Sequence, residues 1–401
     1  MDAITRRRFL IASGVTGGAA VLAGSAAVTW SQLQRSAAAR PLASGTPILV
    51  LVTLYGGNDG LNTLIPYADP AYHTARPELA YTAGEVLRLD GELGLNPALK
   101  GLAKLWQVKQ LAIVRGVGYP NPDHSHFRSM DIWQTASPAE PVNTGWIGRW
   151  LDATGDDPLR AVNMGAVLPP LAIGARSTAA ALQVGRAAPL PRDLSAALAA
   201  LGQPDPSDTP SDGLVCAGYR AERQVDASFA PVLSSASGGA EGQSLAAQLD
   251  LVSRCVKAGV PTTAYAVSLG GFDTHADEKG TQEQLLASLD SAITTFLAEL
   301  AADPRGRHVV LATYSEFGRR VAANASQGTD HGTASTVFVA GLPVRGGFYG
   351  AQPSLTDLAD GDLKADVDFR AVYGELLHKV LRADPSQVLD AVPAELGFLN
   401  A

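Results

Sequence analysis

Five segments of strand length constrain the fold of this chain more than any other feature, at residues 47–54, 111–114, 262–269, 308–313 and 335–340, and the first of them is a continuous apolar run. Helix-forming segments near residues 98–107, 125–135 and 281–302 alternate with them. A continuous apolar run is typical of a strand that is buried on both faces. The pattern therefore predicts an α/β fold with a mostly parallel central sheet flanked by helices.

The segment from residue 138 to residue 239 differs in composition. It is rich in Ala, Pro, Ser and Gly, and contains short helical pieces such as residues 192–201. Such a composition favours a loop-rich element over an independently folded core. We expect one domain over residues 40–401, with residues 138–239 forming a cap or insertion over the sheet.

The first 39 residues have the features of an export signal. Residues 5–10 (TRRRFL) supply paired arginines, a spacer and Phe-Leu, and a Gly-broken apolar run follows to about residue 30. Small residues at 37–39 offer a cleavage site before Arg40. These features predict a twin-arginine signal peptide, with the translocase as a transient partner and a periplasmic or extracellular destination. The alternative is an uncleaved N-terminal anchor.

Charge and cysteine content argue against nucleic acid as a partner and against cysteine as a metal ligand. The net charge is -8, and Lys and Arg are scattered singly among acidic residues. Because no basic stripe is present to neutralise phosphates, nucleic acid is not an expected partner. The two cysteines, Cys216 and Cys255, are not spaced as metal ligands; they either pair in an oxidising compartment or remain as free buried thiols.

Histidine and acidic residues cluster directly after the predicted strands. The carboxyl ends of parallel strands share one crevice, where ligands bind. Several carboxylates in one crevice repel each other unless a cation offsets their charge. Mixed oxygen and nitrogen ligands favour zinc or manganese, while calcium or magnesium would suit an all-oxygen set. The candidate residues are Asp59, His124, His126, Asp273, His275, Glu316, Asp330 and His331.

Ser125 is the candidate nucleophile. It precedes a helical segment, so backbone N–H groups that favour anions would surround its hydroxyl. A serine at this position is also a common helix cap, and on local sequence alone that interpretation is the stronger one.

Other candidates also have structural alternatives. Asp59 lies in an Asn-Asp-Gly stretch that is typical of turns. Glu316 can form an ion pair with a nearby arginine instead of binding a metal. Arg128 and Arg319 have the planar fork that suits an anionic substrate, or each can belong to an ion pair. Asp330 can orient the ring of His331.

Five motifs resemble those of an exported family known as domain of unknown function 1501, in the alkaline-phosphatase-like superfamily. They cover most of the chain in the family's order. The motifs are residues 56–63 (GGNDGLNT), 124–127 (HSHF), 271–275 (GFDTH), 315–319 (SEFGR) and 330–332 (DHG).

The resemblance implies metal ligands at Asp59, Asp273, His275, Glu316 and His331, and a nucleophile at Ser125. Residues 124–132 are similar to the serine segment of cofactor-independent phosphoglycerate mutases. Two departures weaken a two-metal site. Asp273 and His275 are two residues apart rather than four, and Phe317 stands where the superfamily has a histidine.

The sequence thus supports two hypotheses from different classes. The first is an exported, metal-dependent hydrolase of phosphate or sulfate esters, acting on a small or glycan-linked anionic ester. The second is a non-catalytic protein of the cell envelope that keeps the fold and binds a ligand or partner. A phosphomutase-like transferase is a weaker third possibility.

Overall fold

The computed structural model describes residues 30–155, 157–165, 167–182 and 244–400. The paired arginines, the predicted helix at residues 192–201 and Cys216 lie outside these ranges. Cys255 is buried and carries a free thiol.

The described chain alternates strands and helices along most of its length. The helices are α1 (Trp30–Ala39), α2 (Pro70–Ala75), α3 (Lys100–Gln107), α4 (His126–Thr135), α5 (Trp146–Thr154), α6 (Leu245–Ala258), α7 (Glu278–Leu300) and α8 (Phe369–Glu375). The strands are β1 (Ile48–Leu54), β2 (Leu64–Ile65), β3 (Leu87–Arg88), β4 (Gly94–Leu95), β5 (Leu111–Gly118), β6 (Ala161–Met164), β7 (Ala180–Leu182), β8 (Ala264–Leu269), β9 (Val309–Ser315), β10 (Arg319–Ala323), β11 (Thr329–His331), β12 (Ser335–Ala340), β13 (Gly347–Tyr349) and β14 (Val367–Asp368). Short 3-10 helices at Pro158–Arg160, Pro170–Ala172, Gly306–His308 and Pro385–Gln387 connect some of them, and a π-helical turn at Leu376–Val380 extends α8.

The central sheet has the strand order β13-β5-β12-β9-β1-β8-β6-β7, with β14 paired to β5. Every pairing is parallel except those of β12, which runs antiparallel to both β5 and β9. The predicted α/β class, with a mostly parallel central sheet flanked by helices, is confirmed. All residues of β1 and β9 are buried, as the continuous apolar runs predicted.

Alternate residues of β1 face two separate cores. Leu49 and Leu51 pack in a core with Trp133 of α4 and Trp146 of α5. Ile48, Val50 and Val52 pack in a second core with residues of α1, α3, α6 and α7. The period-two alternation of side chains along a strand produces these two layers.

The segment predicted as a cap begins as part of the main fold. Helix α5 buries Trp146 and Trp150 completely, and β6 and β7 are strands of the central sheet. These strands have only four and three residues, so they lack the long apolar run that identified the others. Residues 138–182 therefore belong largely to the sheet and its core, while residues 183–239 lie outside the described ranges.

Helix α1 lies within the predicted signal segment and packs on the second core. Leu33 is fully buried there, and Ala37 is nearly so. The predicted cleavage before Arg40 would remove this helix. The cleavage itself stays a prediction. Among the described residues, no helix combines the length and the hydrophobicity needed to cross a membrane.

The strand directions bring several loops to one edge of the sheet. The carboxyl ends of β1, β5, β8 and β9 lie there because these strands run in the same direction. Strand β12 runs the opposite way, so its amino end, just after β11, lies at the same edge. Loops that are distant in sequence can therefore contribute to one site.

Candidate metal centre

Three side chains converge at this edge of the sheet. His126 begins α4, Asp273 follows β8, and His331 ends β11. One potential ligand atom from each lies within 4.8 Å of the other two. The Nε2 atom of His126 is 3.4 Å from Oδ2 of Asp273, and Nε2 of His331 is 3.2 Å from Oδ1. The structure thus joins residues from three loops that the sequence predicted to meet.

These donors fit a divalent cation. Two imidazole nitrogens and one carboxylate suit zinc or manganese better than calcium or magnesium. Ligands about 2.1 Å from a tetrahedral ion are separated by roughly 3.4 Å. The His126 Nε2 atom is buried and forms no hydrogen bond within the described residues. A cation would satisfy this atom.

Each imidazole is held by a contact to its other nitrogen. His126 Nδ1 is 2.8 Å from Glu316 Oε1, and His331 Nδ1 is 2.7 Å from the carbonyl oxygen of His124. Both contacts leave Nε2 directed at Asp273. Contacts of this kind fix the orientation of a metal-binding imidazole. Burial lowers the pKa of His331, although its bonds to His124 and Asp273 oppose that effect, so this ring is neutral at pH 7.

Glu316 lies behind His126 rather than in the three-residue cluster. It is 2% exposed, and its oxygens accept hydrogen bonds from the backbone N–H of Gly56 and from the Ser315 hydroxyl. The sequence predicted a metal ligand here. The structure instead places Glu316 where it orients a histidine.

His275 occupies the exposed side of the cluster. Its Nε2 atom lies 3.0 Å from Oδ1 of Asp273 and 3.0 Å from Nε2 of His331. Its Nδ1 atom is 3.5 Å from Asp330, which is bonded to Asn324 and is largely exposed. The two-residue spacing of Asp273 and His275 is therefore compatible with a shared site.

Asp273 is held by a buried arginine. Arg319 is fully buried and donates from Nη2 to Asp273 Oδ1 at 2.8 Å. Burial alone would raise the pKa of Asp273, but hydrogen bonds from Arg319 and His331 outweigh it and lower the pKa to about 2. This carboxylate is therefore ionised at neutral pH. The remaining guanidinium contacts are to the backbone carbonyls of Gly56, Gly57, Phe272 and Thr329.

Neither arginine predicted to bind substrate is free to do so. The Arg319 guanidinium is buried and occupied by the contacts just described. Arg128 is bonded to Asp131 at 2.6 Å, one turn along the same helix, and to the carbonyl oxygen of Pro138 at 3.3 Å. Both arginines therefore take part in ion pairs, which was the alternative interpretation of each.

Asp59 lies outside the cluster. It is completely buried, forms an ion pair with Arg76 and accepts a hydrogen bond from the Leu61 N–H. Burial opposes its ionisation, but Arg76 outweighs burial and lowers the pKa of Asp59. Burial and the charge of Asp59 raise the pKa of the neighbouring Glu278 to about 9, so Glu278 is a protonated partner. Asp59, which was predicted to bind a metal, therefore forms a buried ion pair with Arg76 instead.

Ser125 is the N-cap residue of α4, but its side chain makes no capping hydrogen bond. Its backbone N–H donates to Asp123, and its side chain is exposed. His124 turns away to contact Asp362 at 2.8 Å. Ser125 therefore lies between His124 and His126 in the sequence, and its exposed side chain does not cap the helix.

Phe317 packs against two histidines of the site. Its buried ring packs against His126 and His331, with centroids 4.9 and 4.7 Å away. It packs on both imidazoles and offers no ligand atom for an ion. Asp362, Arg76 and Glu278 were missed by the sequence analysis, and no motif or spacing marked them.

The fold and the site together define an α/β protein with a candidate metal centre at the carboxyl edge of a mainly parallel sheet. Residues 221–392 match the model of the family described as "Protein of unknown function (DUF1501)". This match agrees with the resemblance that the motifs indicated, over less than half of the chain, and it includes Asp273, His275, Glu316 and His331. No curated protein matches the sequence.

Several solved structures resemble the chain at low similarity. Ps i-CgsB shares 9% identity and a TM-score of 0.42, covering 86% of this chain and 75% of that one. A putative sulfatase from Bacteroides thetaiotaomicron has 12% identity and a TM-score of 0.36, covering 88% and 73%. A protein in the alkaline phosphatase superfamily from Vibrio parahaemolyticus has 10% identity and a TM-score of 0.36, covering 78% and 65%. At these values, functional conclusions depend on this chain's own residues.

Proposed function

We propose that the protein is an exported, metal-dependent hydrolase of phosphate or sulfate esters. The observation that carries this proposal is the cluster of His126, Asp273 and His331. Ser125 directly precedes His126 in the chain, and its exposed side chain makes no capping hydrogen bond. A divalent cation in this cluster would polarise an ester oxygen and favour the ionised form of a nearby hydroxyl.

The residues of the chain have distinct roles in this proposal. His126, Asp273 and His331 hold the cation, and His275 is placed to bind it or a substrate oxygen. Glu316 and the His124 carbonyl fix the two imidazoles. The Ser125 oxygen attacks the phosphorus or sulfur atom, the bond to the alcohol oxygen breaks, and the serine proton is transferred to the departing alcohol. Water then cleaves the serine ester and regenerates the hydroxyl.

The cellular context is part of the proposal. The arginine pair and apolar run of the first 39 residues support export by the twin-arginine pathway to the periplasm or beyond. Export can be tested separately by replacing Arg6 and Arg7 with lysine. Retention of the precursor in the cytoplasm is expected, while unchanged export would refute the assigned route.

The decisive experiment combines elemental analysis with turnover. Purified protein loaded with zinc or manganese is assayed against a panel of phosphate and sulfate esters. We expect bound metal near one equivalent and hydrolysis of at least one ester, both abolished by chelation. Metal-loaded protein that hydrolyses no ester in the panel would contradict the catalytic proposal.

The second candidate is a non-catalytic envelope protein that binds a ligand at this site. The observation that favours it is Phe317, which stands where the superfamily pattern has a histidine and whose ring packs on His126 and His331 without offering a ligand atom. A single bound cation with no turnover would select this function. Turnover that depends on Ser125 would exclude it.

A further inference from the structure

Helix α1 is attached to the body of the protein along one face. Trp30, Leu33 and Ala37 lie three and four positions apart, a spacing that places them on the same side of a helix. Leu33 is fully buried, Ala37 is 6% exposed, and Trp30 packs against the same core. This core also contains residues of α6, the helix that α1 contacts. The helix therefore covers part of the second core.

The chain that follows α1 is also held in place. The backbone N–H of Leu42 donates to the carbonyl oxygen of Gly259 at 2.8 Å. The carbonyl oxygen of Leu42 accepts a hydrogen bond from Nε of Arg305, again at 2.8 Å. The small residues at 37–39 thus lie between two attachments, the buried side chain of Ala37 and the bonded backbone of Leu42.

This arrangement conflicts with cleavage before Arg40. Folded proteins are cut by proteases at exposed segments or after local opening. Residues 37–39 are helical, and Ala37 is buried in the core. The twin-arginine route carries folded proteins across the membrane, so a signal peptidase would meet α1 already packed. A cut there would also remove α1 and expose the apolar side chains that it covers, which is unfavourable in water.

A second set of small residues precedes α1. Ser25 and Ala27 are the third and the last residue before Val28, and this is the small-x-small pattern of a signal cleavage site. A cut after Ala27 leaves residues 11–24 as the apolar region, within the usual length of about 7 to 15 residues. Residues 25–28 lie before the first described residue, Trp30. A cut there would remove nothing from the described fold.

We propose that the signal peptide is cleaved between Ala27 and Val28, so that α1 belongs to the exported protein as a structural helix. This inference rests on the proposed export and specifies where the signal ends. Processing removes the arginine pair and the apolar region, while Leu33 and Ala37 stay packed on the core.

The N-terminus of the exported protein tests the proposal directly. Protein recovered from the periplasm is analysed by intact mass and by N-terminal sequencing, and we expect it to begin at Val28. A protein that begins at Arg40, or one that keeps its whole signal, would overturn the proposal and leave the export intact. Recovery from the cytoplasm alone would contradict the proposed export and, with it, this cleavage.

Matched substitutions distinguish the two cleavage sites. Ala27→Leu places a large side chain where the site needs a small one, so the precursor should accumulate and the mature form should be lost. Ala39→Leu makes the same change at the exposed last residue of α1, where leucine is a good helix former. This variant should be processed like the parent. The reverse pattern would place the cleavage before Arg40.

Limited proteolysis measures the packing of α1 without depending on export. Arg35 is exposed on α1 and offers a site for trypsin, whereas Arg40 is followed by Pro41 and is not cut. In the purified protein we expect the bond after Arg35 to resist trypsin, because cleavage requires the helix to open. Rapid cutting at Arg35 in the native protein would show that α1 is not held on the core, and would overturn the proposal.

Two variants show whether the buried face of α1 provides this resistance. Leu33→Asp places a charge in the core, and we expect cutting after Arg35 to become at least about tenfold faster because the open form is more populated. Gln34→Asp introduces the same charge at the neighbouring exposed position and should leave the rate nearly unchanged. Equal rates for the two variants would contradict the assigned role of α1.

Discussion

Glu316 and His126 lie 2.8 Å apart, carboxylate oxygen to Nδ1, and this contact joins the end of β9 to the first turn of α4. The contact fixes the ring so that Nε2 points at Asp273. Glu316 is itself held by the Gly56 N–H and the Ser315 hydroxyl. In the proposed metal centre, the affinity for a cation would therefore depend on a residue that need not touch the cation.

Glu316→Gln is expected to lower metal affinity by about 10- to 100-fold, the usual effect of losing a carboxylate that orients a metal-binding histidine. The measurement is competition with a chromogenic chelator. Because glutamine preserves the shape of the side chain, the fold should persist and circular dichroism should be unchanged. Unaltered affinity would show that the contact does not support the site.

Asp273→Asn is expected to reduce metal affinity by more than about 100-fold, beyond the range for groups that only orient a ligand. The cause is the loss of the one carboxylate in the cluster. Asp330→Asn is the matched control, since Asp330 is nearby and acidic but lies 3.5 Å from His275 on the outer side. Equal effects of the two variants would indicate a diffuse electrostatic attraction rather than a defined centre.

Ser125→Ala should abolish turnover while keeping the bound metal and nearly all stability. The Ser125 side chain makes no capping hydrogen bond, so we expect its loss to change the free energy of unfolding by less than about 0.5 kcal/mol. Ser244 is the matched control, because it caps α6 by accepting a hydrogen bond from the Ala247 N–H. Ser244→Ala should cost about 1 kcal/mol in urea denaturation and leave turnover intact. Full activity of the Ser125→Ala variant would show that Ser125 is not the nucleophile.

Glu278 predicts a pH dependence of stability. Burial and the charge of Asp59 raise its pKa to about 9 in the folded protein, against 4.5 for an ordinary glutamate. Between these values the folded state keeps a proton that the unfolded state has lost. Stability therefore falls as pH rises through this range, by at most about 1.4 kcal/mol for each pH unit.

Glu278→Gln should remove this decline and make the variant more stable than the parent above pH 7. Urea denaturation at pH 5, 7 and 8.5 measures it. Glu78→Gln changes an exposed glutamate and serves as the control. If the free energy of unfolding changed with pH in the same way for the Glu278 variant and the parent, the buried carboxyl would be ionised in the folded protein.

The sequence predicted the layers of the fold well because apolar runs report burial directly. The strand at residues 335–340 was predicted with the bounds that the structure shows. Its direction was not predictable, because an apolar run is equally compatible with parallel and antiparallel pairing. The short strands β6 and β7 were missed because three or four residues are too few to form a recognisable apolar pattern.

The candidate site was predicted by residue type and strand position, which indicate where a side chain lies but not which partner it contacts. Asp273 and His331 meet, as expected, with His126 as the third residue. Asp59 instead contacts Arg76, and Glu316 contacts His126 from behind. These outcomes depend on tertiary neighbours that lie 17 and 190 residues away along the chain.

Arg319 ties the loops of the site together through the carbonyls of Gly57, Phe272 and Thr329 and through the Asp273 carboxylate. These bonds need no ion, so we expect the loops of the site to keep this arrangement without a bound cation. In this respect the protein differs from small zinc domains, which unfold when the metal is withdrawn. Removing the metal should therefore leave a folded but inactive protein, and adding metal back should restore the proposed hydrolytic activity.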